Sequence, residues 1–137
     1  MIGILLMSHG RMAEGMLNSC KLFFGEDMPQ IEALCLEGED VPEEFDQRIV
    51  EAVKRIDDGS GVIALCDLFG GTPCNRSALL LNEKLQVITG MSLTMLIELL
   101  GKRMMAETLE EINIQELIET SRNGIIHLNT QFKPDEE

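Results

Sequence analysis

Four short stretches of the chain are almost wholly apolar: Ile2 to Met7, Ile31 to Leu36, Gly61 to Cys66 and Leu85 to Thr89. Apolar runs of this length predict β-strands covered on both faces, as in a parallel sheet held between helices. The segments between them carry apolar residues at helical spacing instead. Met12, Met16, Cys20, Phe23 and Phe24 make one such stripe, and Gly25 fits its stop. Phe45, Ile49, Ala52, Val53 and Ile56 make another. Pro42 opens that helix, where a missing N–H costs nothing, Glu43 and Glu44 suit the helix dipole, and Asp57-Asp58-Gly59 ends it.

Thr72 as N-cap, with Pro73 at the first helical position, predicts a third helix running to about Asn82. A fourth is expected from about Leu93 to Gly101. Thr108-Leu109-Glu110-Glu111 reads as a capping box that opens the last helix, and Gly124 ends it. Ile125-Ile126-His127-Leu128 then closes the pattern as a short fifth strand. Strands alternating with helices predict an α/β three-layer sandwich with a mainly parallel sheet. No internal repeat, low-complexity segment or linker interrupts it. Residues 1–130 therefore read as one domain, followed by an acidic tail over 131–137, of which Pro134-Asp135-Glu136-Glu137 is expected to fray.

Composition narrows the function classes. With five Phe and no Trp or Tyr, the core must be built from Leu, Ile, Val and Met, and the nine Met read as core filler. A formal charge of −13 argues against nucleic acid and anionic membranes, both of which need basic surface. Cys20, Cys35, Cys66 and Cys74 form no CxxC and no zinc spacing, so reduced thiols in the cytoplasm are expected. The N-terminus has no cationic region, and the run from Ile4 to Met7 is too short for a signal peptide or a membrane span.

The candidate chemistry lies where two of the predicted strands end. Ser8-His9-Gly10 follows the first, and Cys66-Asp67-Leu68-Phe69-Gly70-Gly71-Thr72-Pro73-Cys74-Asn75 follows the third. In an open parallel sheet such loops gather at the C-terminal edge, where ligands bind. His9 is either a strand cap or a nucleophile. Asp67 is either a turn former or the partner of His9: a carboxylate on Nδ1–H fixes the tautomer and leaves the Nε2 lone pair free. Gly70 and Gly71 let backbone N–H groups approach an anion, and Thr72 either caps its helix or donates to a phosphoryl oxygen. Leu68, Phe69 and Met91 make a candidate apolar docking rim. Arg11 either steadies phosphoryl charge or is a solvated helix-start residue, and Gly10, Asn75 and Arg76 are candidates for supporting the two loops. His127, without polar company on the terminal strand, reads as structural.

Neither a P-loop nor a dinucleotide Gly-x-Gly-x-x-Gly is present, and no metal-ligand cluster is legible, so no nucleotide, cofactor or metal is expected. A nucleophilic histidine with an anion cradle and none of these must receive its phosphoryl group from elsewhere. The simplest donor is another phosphoprotein.

Taken together, these residues resemble the mannose-type enzyme IIA family of the bacterial sugar phosphotransferase system. The likeness runs through Ser8-His9-Gly10, then Asp67 to Asn75, then Gly90-Met91-Ser92-Leu93-Thr94-Met95-Leu96, and covers nearly the whole chain. It implies that His9 is the phosphorylated histidine, Asp67 its hydrogen-bonded partner and Thr72 the hydroxyl that meets the phosphoryl group. It also implies HPr as donor and an enzyme IIB as acceptor, here on a separate chain because no IIB domain follows the last strand. A homodimer is implied too, in which the last short strand pairs antiparallel with the partner's sheet. The family more often has Phe where Cys74 stands and Pro where Thr94 stands. Two other readings remain open at this stage: a regulatory dimer phosphorylated on the same histidine, and a tetrapyrrole metal chelatase, which would need further ligands beside His9.

Overall fold

A computed structural model of the chain describes residues 1–132; the Pro134 to Glu137 tail lies outside the described residues. Four parallel strands, β1 (Gly3–His9), β2 (Ile31–Leu36), β3 (Val62–Cys66) and β4 (Leu85–Ile88), form one sheet in the order β2-β1-β3-β4. The helices between them are α1 (Met12–Phe24), α2 (Pro42–Ile56), α3 (Thr72–Ala78) and α4 (Leu93–Met104), and α5 (Ile114–Asn123) follows. Alternate residues of β1 serve opposite faces. Ile4 and Leu6 pack with α1, α4 and α5 through Ala13, Cys20, Leu96, Leu99 and Leu117. Leu5 and Met7 pack with α2 and α3 through Phe45, Ile49, Ala52 and Cys74. The result is the three-layer α/β sandwich, with a central strand pair buried on both faces as the apolar runs require.

Local chemistry explains most element ends. Pro42, Glu43 and Glu44 sit in the first turn of α2, and Lys54 and Arg55 in its last, each sign at the favourable end of the dipole. The Ser92 side chain caps α4 by accepting from the Met95 N–H, and that helix runs on to Met104 rather than stopping at Gly101. Two starts differ from expectation. The capping-box segment forms only a 3₁₀ turn (Leu109–Glu111) with no side-chain cap. α5 begins instead after Asn113, whose side chain accepts from the Glu116 N–H at 3.0 Å.

The third helix is also shorter than the expected run to about Asn82. It ends at Ala78, because residues 79–84 must turn back to set Leu85 in register with Val62. The Val62 N–H donates to the Lys84 carbonyl at 2.8 Å and closes that turn.

The expected fifth strand is not formed among the described residues. Residues 125–127 pair with no strand, and α6 (Leu128–Gln131) is a single helical turn. A lone strand leaves its backbone groups unpaired, whereas a helical turn satisfies some of its own: the Gln131 and Thr130 N–H groups both donate to the His127 carbonyl.

Candidate functional site

The strand order decides where a site can form. The chain leaves β1 toward β2 on one side, and leaves β3 toward β4 on the other. The loops after β1 and β3 therefore diverge, one into α1 and one into α3 on the opposite face. The crevice this opens at the carboxyl ends of adjacent parallel strands is the usual ligand position in such sheets. Met7 pairs with Cys66 across it, so His9 and Asp67 stand within one or two residues of the same rung.

The two side chains meet. Asp67 Oδ2 lies 2.8 Å from His9 Nδ1 and also accepts the His9 backbone N–H at 2.8 Å. Asp67 Oδ1 accepts the Leu68 N–H at 2.9 Å, and the Asp67 N–H donates to the Met7 carbonyl at 3.1 Å. Burial works to raise the Asp67 carboxyl, but the bonds from the His9 backbone and ring and from Leu68 outweigh it and hold the group below its ordinary value. The carboxylate is thus an acceptor only, so the ring proton belongs on Nδ1 and the lone pair on Nε2. The Asp67 side chain is 8% exposed and that of His9 45%, so the orienting group is shielded while the ring stays reachable from solution.

The opposite edge of the ring lies against Gly71. A Cβ built there would overlap His9 Cε1 and stand 3.0 Å from Nε2, so only glycine lets this backbone approach the nitrogen that carries the lone pair. Gly70, with φ +90°, turns the loop ahead of it. Asn75 pins that turn twice: its side chain donates to the Gly70 carbonyl at 2.9 Å, and its N–H donates to the Gly71 carbonyl at 2.8 Å. Gly71 takes the N-cap position of α3, one residue before the expected cap. The Thr72 hydroxyl is therefore not used for capping.

Other candidates fall elsewhere. Arg11 is exposed and committed to Glu14, with Nε 3.0 Å from Oε2. Arg76 grips Asp46 of α2 with two bonds of 2.7 and 2.6 Å, which ties α3 to its neighbouring helix. Phe69 is 85% exposed and Leu68 also faces solvent, but Met91 is buried in the core and cannot belong to a docking rim. His127 contacts Thr130 Oγ1 through Nδ1. Cys66, next to Asp67, is buried and its thiol is pushed up to about 12, which removes it as a nucleophile. All four cysteines are free. Among the described residues no three His, Cys, Asp or Glu side chains group closely enough to hold a metal ion, and no helix is long and apolar enough to cross a membrane.

The Ser8-His9-Gly10 motif assigns Ser8 no role of its own. The serine is fully buried, and its hydroxyl bridges the Gly10 carbonyl and the Ala13 N–H. A lone hydroxyl in an otherwise apolar strand was the available signal.

Known proteins match this chain over the same region. The family model described as the PTS system fructose IIA component, EIIA-man, matches residues 3–118. A fructose-specific EIIA component from Bacillus subtilis (strain 168) is 30% identical over 105 residues, 75% of this chain and 71% of that protein. The mannose-specific EIIAB component of Escherichia coli (strain K12) is 28% identical over 126 residues, 90% of this chain but only 38% of that longer protein. Among solved structures, an EIIA component from Streptococcus agalactiae superposes with a TM-score of 0.84 at 28% identity, covering 95% of this chain and 99% of that one. A mannose/sorbose-specific IIA subunit from Enterococcus faecalis gives 0.81 at 26% identity, covering 99% and 98%. The chain belongs to the EIIA-man family, the IIA components of the phosphotransferase system (PTS).

Proposed function

We propose that this protein is a phosphoryl carrier of a sugar PTS. His9 takes a phosphoryl group on Nε2 from the phosphohistidine of HPr and passes it to an enzyme IIB, in support of sugar uptake. The observation that carries this reading is the His9 ring itself, bound through Nδ1 to a shielded carboxylate at 2.8 Å with its Nε2 edge against a glycine.

The transfer balances without moving a proton. The Nε2 lone pair attacks phosphorus in line with the donor's P–N bond. One P–N bond forms as the other breaks, and the electron pair of the broken bond returns to the donor ring. Each ring keeps its N–H on the far nitrogen. Positive charge develops on the His9 ring as the phosphoryl group arrives, and Asp67 offsets it from Nδ1. Gly70 and Gly71 let backbone N–H groups approach the phosphoryl oxygens, and the uncommitted Thr72 hydroxyl joins them. Gly10 and Asn75 shape the two loops, while the exposed Phe69 offers a docking partner an apolar contact. The free thiols suit a cytoplasmic setting.

Incubation with phosphoenolpyruvate, enzyme I and HPr is expected to give an adduct that survives alkali and is lost in acid. Peptide mapping should place it on His9. An adduct confined to His127, or none at all, overturns the assignment.

The same reading includes a homodimer. Ile125, Ile126 and Leu128 are exposed, and β4 is an edge strand. A groove of about 730 Å³, lined by Val87 and Ile88 of β4, Ile114 and Ile118 of α5 and Ile125, runs beside that edge. The terminal segment has no strand partner among the described residues of its own chain and would find one on a second copy. Sedimentation should report twice the chain mass at micromolar concentration; a monomer there counts against the pairing.

A further inference from the structure

We propose that Ser8 is a positioning residue for phosphoryl transfer, its buried hydroxyl locking the β1–α1 turn so that the His9 ring keeps Nδ1 on Asp67 and Nε2 toward Gly71; the transfer part of this rests on the function proposed above. Ser8 is 0% exposed and follows the apolar run Ile4 to Met7, where an alanine would fill much the same space. A hydroxyl in such a place is costly unless bonded on both sides. Here it is: Oγ donates to the Gly10 carbonyl at 3.0 Å and accepts the Ala13 N–H at 2.7 Å.

Those two bonds bracket the histidine. The Ala13 N–H is one of the first-turn donors that a helix leaves unsatisfied, and Arg11, at the N-cap position of α1, supplies no side-chain cap. Ser8 does that work from the strand, across a turn that includes Gly10 at φ +58°. Three successive peptide planes around His9 are then each held by one hydrogen bond. The His9 N–H goes to Asp67 Oδ2, the Gly10 N–H to the Leu36 carbonyl at 2.7 Å, and the Gly10 carbonyl accepts from Ser8. Peptide planes are rigid, so the two that meet at the His9 Cα set the direction of its Cα–Cβ bond, and the third, held by Ser8, keeps the Gly10 turn from twisting the second. Without Ser8 the third plane is free, and a swing of under about 1 Å at the ring takes Nδ1 beyond hydrogen-bond range of Asp67.

The test is Ser8→Ala, read in two ways. Ring ¹⁵N shifts of His9 in the unphosphorylated protein, with His127 as internal reference, report the tautomer directly. Wild type should show the Nδ1–H form. The variant should average toward the mixed tautomers of a free imidazole, and its phosphorylation rate per folded molecule should fall about 10- to 100-fold. Should Ser8→Ala not fold, Ser8→Cys carries the test, since its weaker thiol bonds predict intermediate shifts and an intermediate rate. A variant with lower thermal stability but wild-type His9 shifts and rate would reduce Ser8 to a helix cap. If the shifts move but even wild type takes no phosphoryl group, positioning of the ring stands and the carrier function falls.

Discussion

His9→Ala is expected to give a folded protein that takes up no phosphoryl group, a loss of at least about 10³-fold in rate, or about 4 kcal/mol of barrier. The fold should survive because the His9 side chain is 45% exposed and little of it packs in the core. Asp67 would keep two of its three bonds, those from the backbone N–H groups of residues 9 and 68. Losing the third costs about 1.5–3 kcal/mol, so the melting temperature should drop by about 5–15 °C without loss of the fold. Intact-mass measurement after incubation with the phosphoenolpyruvate, enzyme I and HPr relay checks the result. Any residual label must also be typed. A phosphoryl group misplaced onto Asp67 would be an acyl phosphate, labile in alkali, whereas a phosphohistidine survives alkali. Alkali-stable labelling of the variant at the wild-type level would remove His9 from the reaction.

Much of this arrangement is legible in the chain because both faces of the sheet are covered. Ile2 to Met7 and Gly61 to Cys66 needed no polar alternation, and their continuous apolar runs marked strands whose C-terminal loops carried the only unusual chemistry. Three things were not legible. The strand order β2-β1-β3-β4, which makes the crevice between His9 and Asp67, depends on the directions of the crossovers and leaves no local mark on the residues. The start of α5 at Asn113, rather than at the Thr108 capping box the sequence predicts, turns on which residue has a full helix of core-facing residues after it. Both offer a polar side chain with Glu three residues on, but only Asn113 leads directly into the turn that buries Leu117. The Ile125 to Leu128 segment has strand composition, yet composition cannot supply the neighbouring edge that a strand requires. Ser8 is the complementary case, since a buried hydroxyl is visible in sequence only as an exception, and its partners at Gly10 and Ala13 appear only once the turn is built.

Asp67→Asn separates orientation from mere turn formation. An amide has one oxygen where the carboxylate has two, and Asp67 uses both: Oδ2 for the His9 N–H and ring, Oδ1 for the Leu68 N–H. If the amide oxygen of the variant takes the Oδ2 place, its NH₂ faces the Leu68 N–H, donor against donor. If the amide flips, its NH₂ faces the His9 ring and stabilises the tautomer whose lone pair is on Nδ1, the wrong nitrogen. Either way the compensating negative charge is gone. Transfer should fall about 10²- to 10⁴-fold, roughly 3–5 kcal/mol, in a protein that still folds. Stability supplies a second readout. The Asp67 carboxyl is held below its ordinary value of 3.8, so the folded state binds fewer protons there than the unfolded chain. Its contribution is complete above about pH 5 and is lost as pH falls through the folded value. The gap in melting temperature between wild type and Asp67→Asn should therefore be widest near neutrality and close only as pH falls below the ordinary value of 3.8 and through the folded one. A transfer rate equal to wild type, even with that stability gap intact, would make Asp67 a turn residue and leave His9 without its orienting partner.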